Sequence, residues 1–130
     1  MGKPEPSMDK WLAEAKASEV ADQCGMFLVH NGVVRATAKA QVREGKDMPP
    51  VARVDFSYDE AGLKAAVAEA LTWEGVYYVR VWLNEGALEV GDSIMYVLVG
   101  ADIRPRCIDA LQRLVGHIKN DLVVEREVYA

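Results

Sequence analysis

The chain has 130 residues, 51% of them apolar and 27% charged, with a formal net charge of −5. That length suits one domain with a real core, and that apolar content excludes a disordered chain. The acidic balance argues against nonspecific nucleic-acid binding, which rests on neutralising phosphates, and no apolar run approaches the ~20 residues of a membrane span.

The N-terminus, MGKPEPSMDK, has no apolar signal-peptide core. Residues 1–7 hold Pro4 and Pro6 and are expected as a flexible leader, with 8–130 as a single domain. Asp9 is expected to cap a helix from Lys10 to about Ser18, with Trp11, Leu12 and Ala15 facing inward. Asp22 to Gly25 breaks it, and Met26 to Thr37 follows as a strand region. Asn31-Gly32 between apolar runs is a hairpin signal, but a glycine inside a single strand marks a bulge or a close approach. The residues leave both open. Residues 38–50 are polar and end in two prolines, as a mobile loop would.

Val51 to Tyr58 alternates with one slip of phase, and a helix is expected from Glu60 to Trp73 with Leu63, Val67, Ala70 and Leu71 inward. Val76 to Leu83 alternates again, placing Val76, Tyr78, Arg80 and Trp82 on one side and Tyr77, Val79, Val81 and Leu83 on the other. After the turn Val90-Gly91-Asp92, Ser93 to Val99 thickens into solid apolar residues, as a strand buried on both faces does. Gly100-Ala101-Asp102 is expected to break the chain. Pro105 suits the first turn of the next helix, which carries Cys107, Ile108, Leu111, Leu114, Val115 and Ile118 and closes at Lys119-Asn120-Asp121. Leu122 to Tyr129 alternates as a final, ordered strand. Strands joined partly by turns and partly by helices indicate an α+β domain with about three helices.

Chemistry-bearing residues each have an ordinary explanation. Lys119 in a last helical turn complements the dipole. Arg104 and Arg106 flank Pro105 and are ordinarily a solvated pair, although helix starts and arginine forks also suit phosphate. Arg35 reads as a strand-end arginine facing water. His30 and His117 read as structural, Cys24 and Cys107 match no metal spacing and read as buried thiols, and Ser57 and Ser93 lack an activating context. Glu125 and Glu127 read as one strand face rather than an acid pair. Two unpaired thiols fit a reducing cytoplasm.

The segment GALEVGDSIMYVLVGADIRPRCIDALQRLVGHIK resembles the large, catalytic subunit of molybdopterin synthase, the MoaE type, in which a GxLxxGDxxVxVxVxAxHR stretch leads into a helix ending in an active-site lysine. The likeness extends upstream to about Gly25. It implies an α/β-hammerhead fold with antiparallel strands, and a single bulged strand at 26–37 that aligns Gly32 and Arg35 with the family's VGxVR. It implies Lys119 as the catalytic lysine and Arg35 and Arg104 as binders of the substrate phosphate, with Arg106 left on the surface. The implied reaction makes molybdopterin from cyclic pyranopterin monophosphate, with sulfur from the C-terminal thiocarboxylate of a ubiquitin-like small subunit ending in Gly-Gly. It needs no metal and no cofactor. A homodimer, and a heterotetramer with the small subunit, are implied with it.

The chain departs from the family at Ile103, where the family has histidine, and at Glu125, which falls where it has a second active-site lysine; the sequence leaves open whether Lys39 or Lys46, in the 38–50 loop, replaces that lysine. A non-catalytic binding or regulatory paralogue on the same fold is therefore the alternative. A small α+β ligand-binding domain is the reading that ignores the resemblance. One length carries a further expectation. Arg104 and Lys119 stand fifteen residues apart on one helix, about 22 Å at ~1.5 Å per residue. They can serve one small ligand only if one of them comes from a second copy.

Overall fold

The structure is a computed structural model and describes residues 2–130. Its first helix, α1 (Met8–Lys16), starts earlier than expected, because Ser7 and not Asp9 is the cap: its Oγ accepts the Lys10 N–H at 3.3 Å. Asp9 sits instead in the first turn, where a carboxylate favours the helix dipole. Ahead of α1, Lys3 Nζ donates to the Tyr58 hydroxyl and the Leu83 carbonyl, each at 2.7 Å.

Strand β1 (Met26–Val33) pairs antiparallel with β5 (Ser93–Ala101) along its whole length, so Asn31-Gly32 is inside one strand and not a hairpin. The register slips between Gly32 and Val33, where β5 contributes the extra residue, Ile94. β3 (Val76–Leu83) pairs with the other side of β5, giving a sheet in the order β1-β5-β3. The second sheet has the order β4-β2-β6, from β4 (Gly86–Glu89), β2 (Val51–Tyr58) and β6 (Val123–Tyr129). All pairings are antiparallel, with α2 (Lys39–Glu44), α3 (Glu60–Ala70) and α4 (Arg104–His117) between strands, so the expected α+β, hammerhead-like layout holds.

One apolar cluster joins the two sheets to α3 and α4, with Phe56, Leu88, Val97, Val99, Leu114 and Ile118 among its buried members. The other face of the first sheet is covered by α1, where Trp11 and Ala15 pack with Leu98. Leu98 therefore faces one layer while Val97 and Val99 face the other. This two-sided burial is what made the β5 sequence read as solid apolar.

Several boundaries differ from the sequence reading. β5 does not break at Gly100 but runs to Ala101. A Cβ at Gly100 would lie 2.7 Å from the Phe27 ring, so this glycine keeps a place for an aromatic side chain instead of ending the strand. β3 carries a bulge between Val76 and Tyr78, which moves buried Val76 to the side of Val79, Val81 and Leu83. α3 ends at Ala70, its buried face being Ala66 and Ala70, while Leu71 is 44% exposed. Ile108 of α4 is likewise exposed, and Ala110 is buried in the face expected for it. The loop 38–50 contains α2, and Gly86–Glu89, which the sequence reading left unassigned ahead of the Val90-Gly91-Asp92 turn, forms a strand. Cys107 is buried and its thiol donates to the Val99 carbonyl at 3.4 Å, whereas Cys24 is only half-buried. Burial pushes both thiols above their ordinary range, so neither is poised as a thiolate. No helix among the described residues is long and apolar enough to cross a membrane.

Candidate functional site

Two local devices place Arg35 and Lys119. The first is the Gly-Asp turn. Gly91 takes a positive φ of 92°, its N–H donates to the Val34 carbonyl at 2.8 Å, and the Val34 N–H donates to the Asp92 carbonyl at 2.9 Å. Val34 is buried, so the turn and the core together fix the backbone one residue before Arg35. The Asp92 carboxylate holds the turn by accepting the Glu89 N–H at 2.9 Å. The motif that carried the resemblance thus acts at a distance, on a residue nearly sixty positions earlier in the chain.

The second device is the end of α4. The helix does not close at Lys119-Asn120-Asp121 but widens after His117 into a π turn, Ile118–Leu122. Such turns are rare and occur often at functional sites. Ile118 is fully buried and the Leu122 carbonyl accepts the Asp59 N–H at 2.9 Å, so both ends of the turn are tied down. His117 Nδ1 lies 2.8 Å from Asp121 Oδ2 on the outside of it. Lys119 is carried between these anchors.

Arg35 and Lys119 line one cavity of about 680 Å³ between the 33–43 segment and β6. Arg104 does not line it: it is exposed at the start of α4, and Ile103 before it makes no side-chain cap. The structure therefore brings together two of the three residues expected in the site. Arg106 is ion-paired to Asp102 at 2.6 Å and to Glu74 at 3.1 Å, which accounts for it structurally.

The cavity wall also holds what the sequence reading set aside as a strand face. Glu125 Oε1 lies 3.1 Å from Lys119 Nζ, and their side chains are 19% and 33% exposed. This oxygen is buried and makes no well-directed hydrogen bond, so the ammonium charge is its compensation. His30 is held below the usual histidine range by burial and then by the positive charge of Lys119. Lys119 thus interacts with a carboxylate and an imidazole: the sequence reading placed Glu125 where the family has a second active-site lysine, and took His30 as structural. Lys39, Arg43 and Arg126 also line the cavity. Lys39 and Arg43 stand four residues apart, on one face of α2. That spacing was readable, but only once the polar stretch is known to be helical.

A model described as MoaE protein matches residues 6–121. The chain belongs to the MoaE family. Solved structures agree with this MoaE fold. Molybdopterin synthase from Staphylococcus aureus is similar with a TM-score of 0.73 at 17% identity, over 97% of this chain and 88% of that one. Molybdopterin cofactor biosynthesis protein E from Burkholderia multivorans ATCC 17616 gives 0.71 at 21% identity, over 98% and 87%. A complex of subunits 1 and 2 of molybdopterin-converting factor from Helicobacter pylori 26695 gives 0.65 at 18%, over 96% and 84%. No curated protein matches this MoaE chain by sequence.

Proposed function

We propose that this chain works in molybdenum cofactor biosynthesis as the large subunit of a molybdopterin synthase. It would receive sulfur from the thiocarboxylate of a ubiquitin-like small subunit and deliver it to cyclic pyranopterin monophosphate. The observation that carries this reading is the convergence of Arg35 and Lys119, from opposite ends of the chain, on one cavity. Both the thiocarboxylate and the pterin phosphate are anions. Arg35 would hold the phosphate through its guanidinium fork. Lys119 would stabilise charge developing on the reacting carbonyl, or act as a nucleophile after losing its proton. The Helicobacter pylori relative, solved as a complex of two subunits, supports a small-subunit partner here.

The Lys119–Glu125 pair favours a second reading, a binding or regulatory paralogue, because it neutralises the lysine the chemistry needs. Sulfur transfer decides between them. The full chain is mixed with a thiocarboxylated small subunit and the pterin precursor, and dithiolene formation is measured. The synthase reading expects turnover that Lys119→Ala lowers by orders of magnitude. Absence of turnover with a small subunit that binds the chain would leave the paralogue.

A further inference from the structure

We propose that α2 is an anion-binding arm, with Lys39 and Arg43 joining Arg35 to take a phosphate-type group on a ligand whose remainder is apolar or ring-like. This rests on the reading of the cavity as an anionic substrate's pocket and adds to it the residues that recognise the phosphate.

The cavity is lined by five cationic side chains, Arg35, Lys39, Arg43, Lys119 and Arg126, against two acidic ones, Glu125 and Glu127. This excess stands in a protein of net charge −5. Two of the cations are neutralised where they stand: Lys119 by Glu125 at 3.1 Å and Arg126 by Asp55 at 2.7 Å. The other three lie within residues 35–43, and among the described residues none of them is in an ion pair. Arg35 Nε donates to the Thr37 carbonyl at 2.9 Å, a neutral partner that orients the guanidinium without cancelling it.

Three uncompensated cations on one wall repel one another, and an ordinary explanation leaves them to solvent. The arm is nevertheless fastened in place. The Lys39 N–H donates to Glu127 Oε2 at 2.9 Å, and the Tyr129 hydroxyl donates to the other oxygen of that carboxylate at 3.2 Å. Ala38 beside it is fully buried, and Gly45 closes the far end of α2 with a positive φ of 68°. The spacing of Lys39 and Arg43 keeps both on one face, and an arginine fork with a lysine point charge matches the anionic oxygens of a phosphate group. Exposed Val33, Val42 and Val124 stand around the same cavity, which suits an apolar or ring-shaped body attached to that phosphate.

The test uses the full chain at constant ionic strength, titrated with inorganic phosphate and separately with cyclic pyranopterin monophosphate. Side-chain nitrogen resonances of Lys39 and Arg43 are followed, and affinities are compared for wild type, Lys39→Gln/Arg43→Gln, and a remote control with the same charge change, Lys10→Gln/Lys16→Gln. The arm predicts shifts in both resonances and an affinity loss of roughly tenfold or more in the α2 variant, against about twofold or less in the control. The free phosphate shares the site but binds more weakly than the ester, because it lacks the body that the valines would cover. No anion binding by the wild type, unmoved resonances, or equal losses in both variants would overturn the proposal. Failure of the arm and failure of the synthase reading separate cleanly. Sulfur transfer with an unchanged KM in the α2 variant removes the arm alone. Anion binding lost in that variant, with no sulfur transfer by the wild type, removes the synthase reading alone.

Discussion

Lys119 does two things at once. It is the candidate catalytic group, and it compensates the buried Oε1 of Glu125. From the sequence its removal looks inexpensive, since a last-turn lysine is worth only ~0.3–1 kcal/mol. The ion pair changes that expectation. Lys119→Ala leaves a poorly hydrated carboxylate, a loss of about 1–3 kcal/mol, here at the lower end because both side chains retain some exposure. Glu125→Gln in the same chain removes the stranded charge and should recover most of it, as a thermal-unfolding cycle of the two single variants and the double would show. Equal effects of Lys119→Ala with and without Glu125 would mean that the pair contributes no stability. His30 supplies a pH test. Its folded-state pKa lies below the ordinary 6.5, so the unfolded chain binds the proton first. Stability is then lost as pH falls from about 6.5 toward the folded value. His30→Gln should flatten the fall in Tm between about pH 7.5 and 5.5 relative to wild type. In an NMR titration, Lys119→Ala should raise the His30 pKa, because one of the two causes of its depression is gone.

At the scale of elements, strong periodicity was legible and local exceptions were not. β2, β5, β6 and the body of α4 follow from alternation or helical spacing, β1 as one strand follows only from the family resemblance, and the phase slip in Val51–Tyr58 is a register shift between Val51 and Arg53. What escaped depends on partners distant in sequence. α2 lies in a polar stretch whose N-terminal end is held by Glu127, 88 residues on. The π turn is fixed in part by Asp59, and no local pattern announces it. Arg43 was missed as a site residue for the same reason, and Lys39 was considered only as a stand-in for the missing second lysine, whereas Arg35 and Lys119 were legible through the family motif around them. Gly100 shows how a residue type can mislead. Glycine ordinarily interrupts, yet here it lies mid-sheet between Phe27 and Tyr78, with Tyr78 Cβ 3.0 Å from where its own Cβ would be. Gly100→Ala should therefore destabilise the fold by roughly 1–3 kcal/mol, the usual cost of overpacking a filled core. Gly116, whose added Cβ meets nothing within 4 Å, is the control. Gly116→Ala should be neutral or should stabilise α4 by up to ~1 kcal/mol. Equal unfolding midpoints for the two variants would show that the Phe27 ring yields to the methyl group.

At the scale of the molecule, Arg104 is the expected site residue that does not line the cavity of its own chain. α4 keeps it at the far end from Lys119, and the cavity that holds Arg35 and Lys119 does not include it. The helix is unbroken from Arg104 to His117, about 20 Å at ~1.5 Å per residue, and Lys119 follows in the π turn beyond it, so the two stand at opposite ends. Arg104 is exposed and has no ion pair among the described residues, while Arg106 two positions on has two carboxylate partners. If Arg104 serves the phosphate as the family resemblance implies, it serves the cavity of a second copy. A two-fold dimer would then hold two equivalent sites, each with Arg35 and Lys119 from one chain and Arg104 from the other. Exposed Ile103 and Ile108 beside Arg104 would lie at or near that boundary. Sedimentation at micromolar concentration should give a dimer. Lys119→Ala and Arg104→Ala chains, each inactive alone, should regain part of the wild-type turnover when mixed, because half of the sites in a mixed dimer are intact. With random exchange at equal amounts about half of the dimers are mixed, and each has one intact site of two, so the regain approaches one quarter of wild type. A monomer by sedimentation, or no regain after subunit exchange has been demonstrated, would return Arg104 to the surface and leave Lys39 and Arg43 as the cations that accompany Arg35.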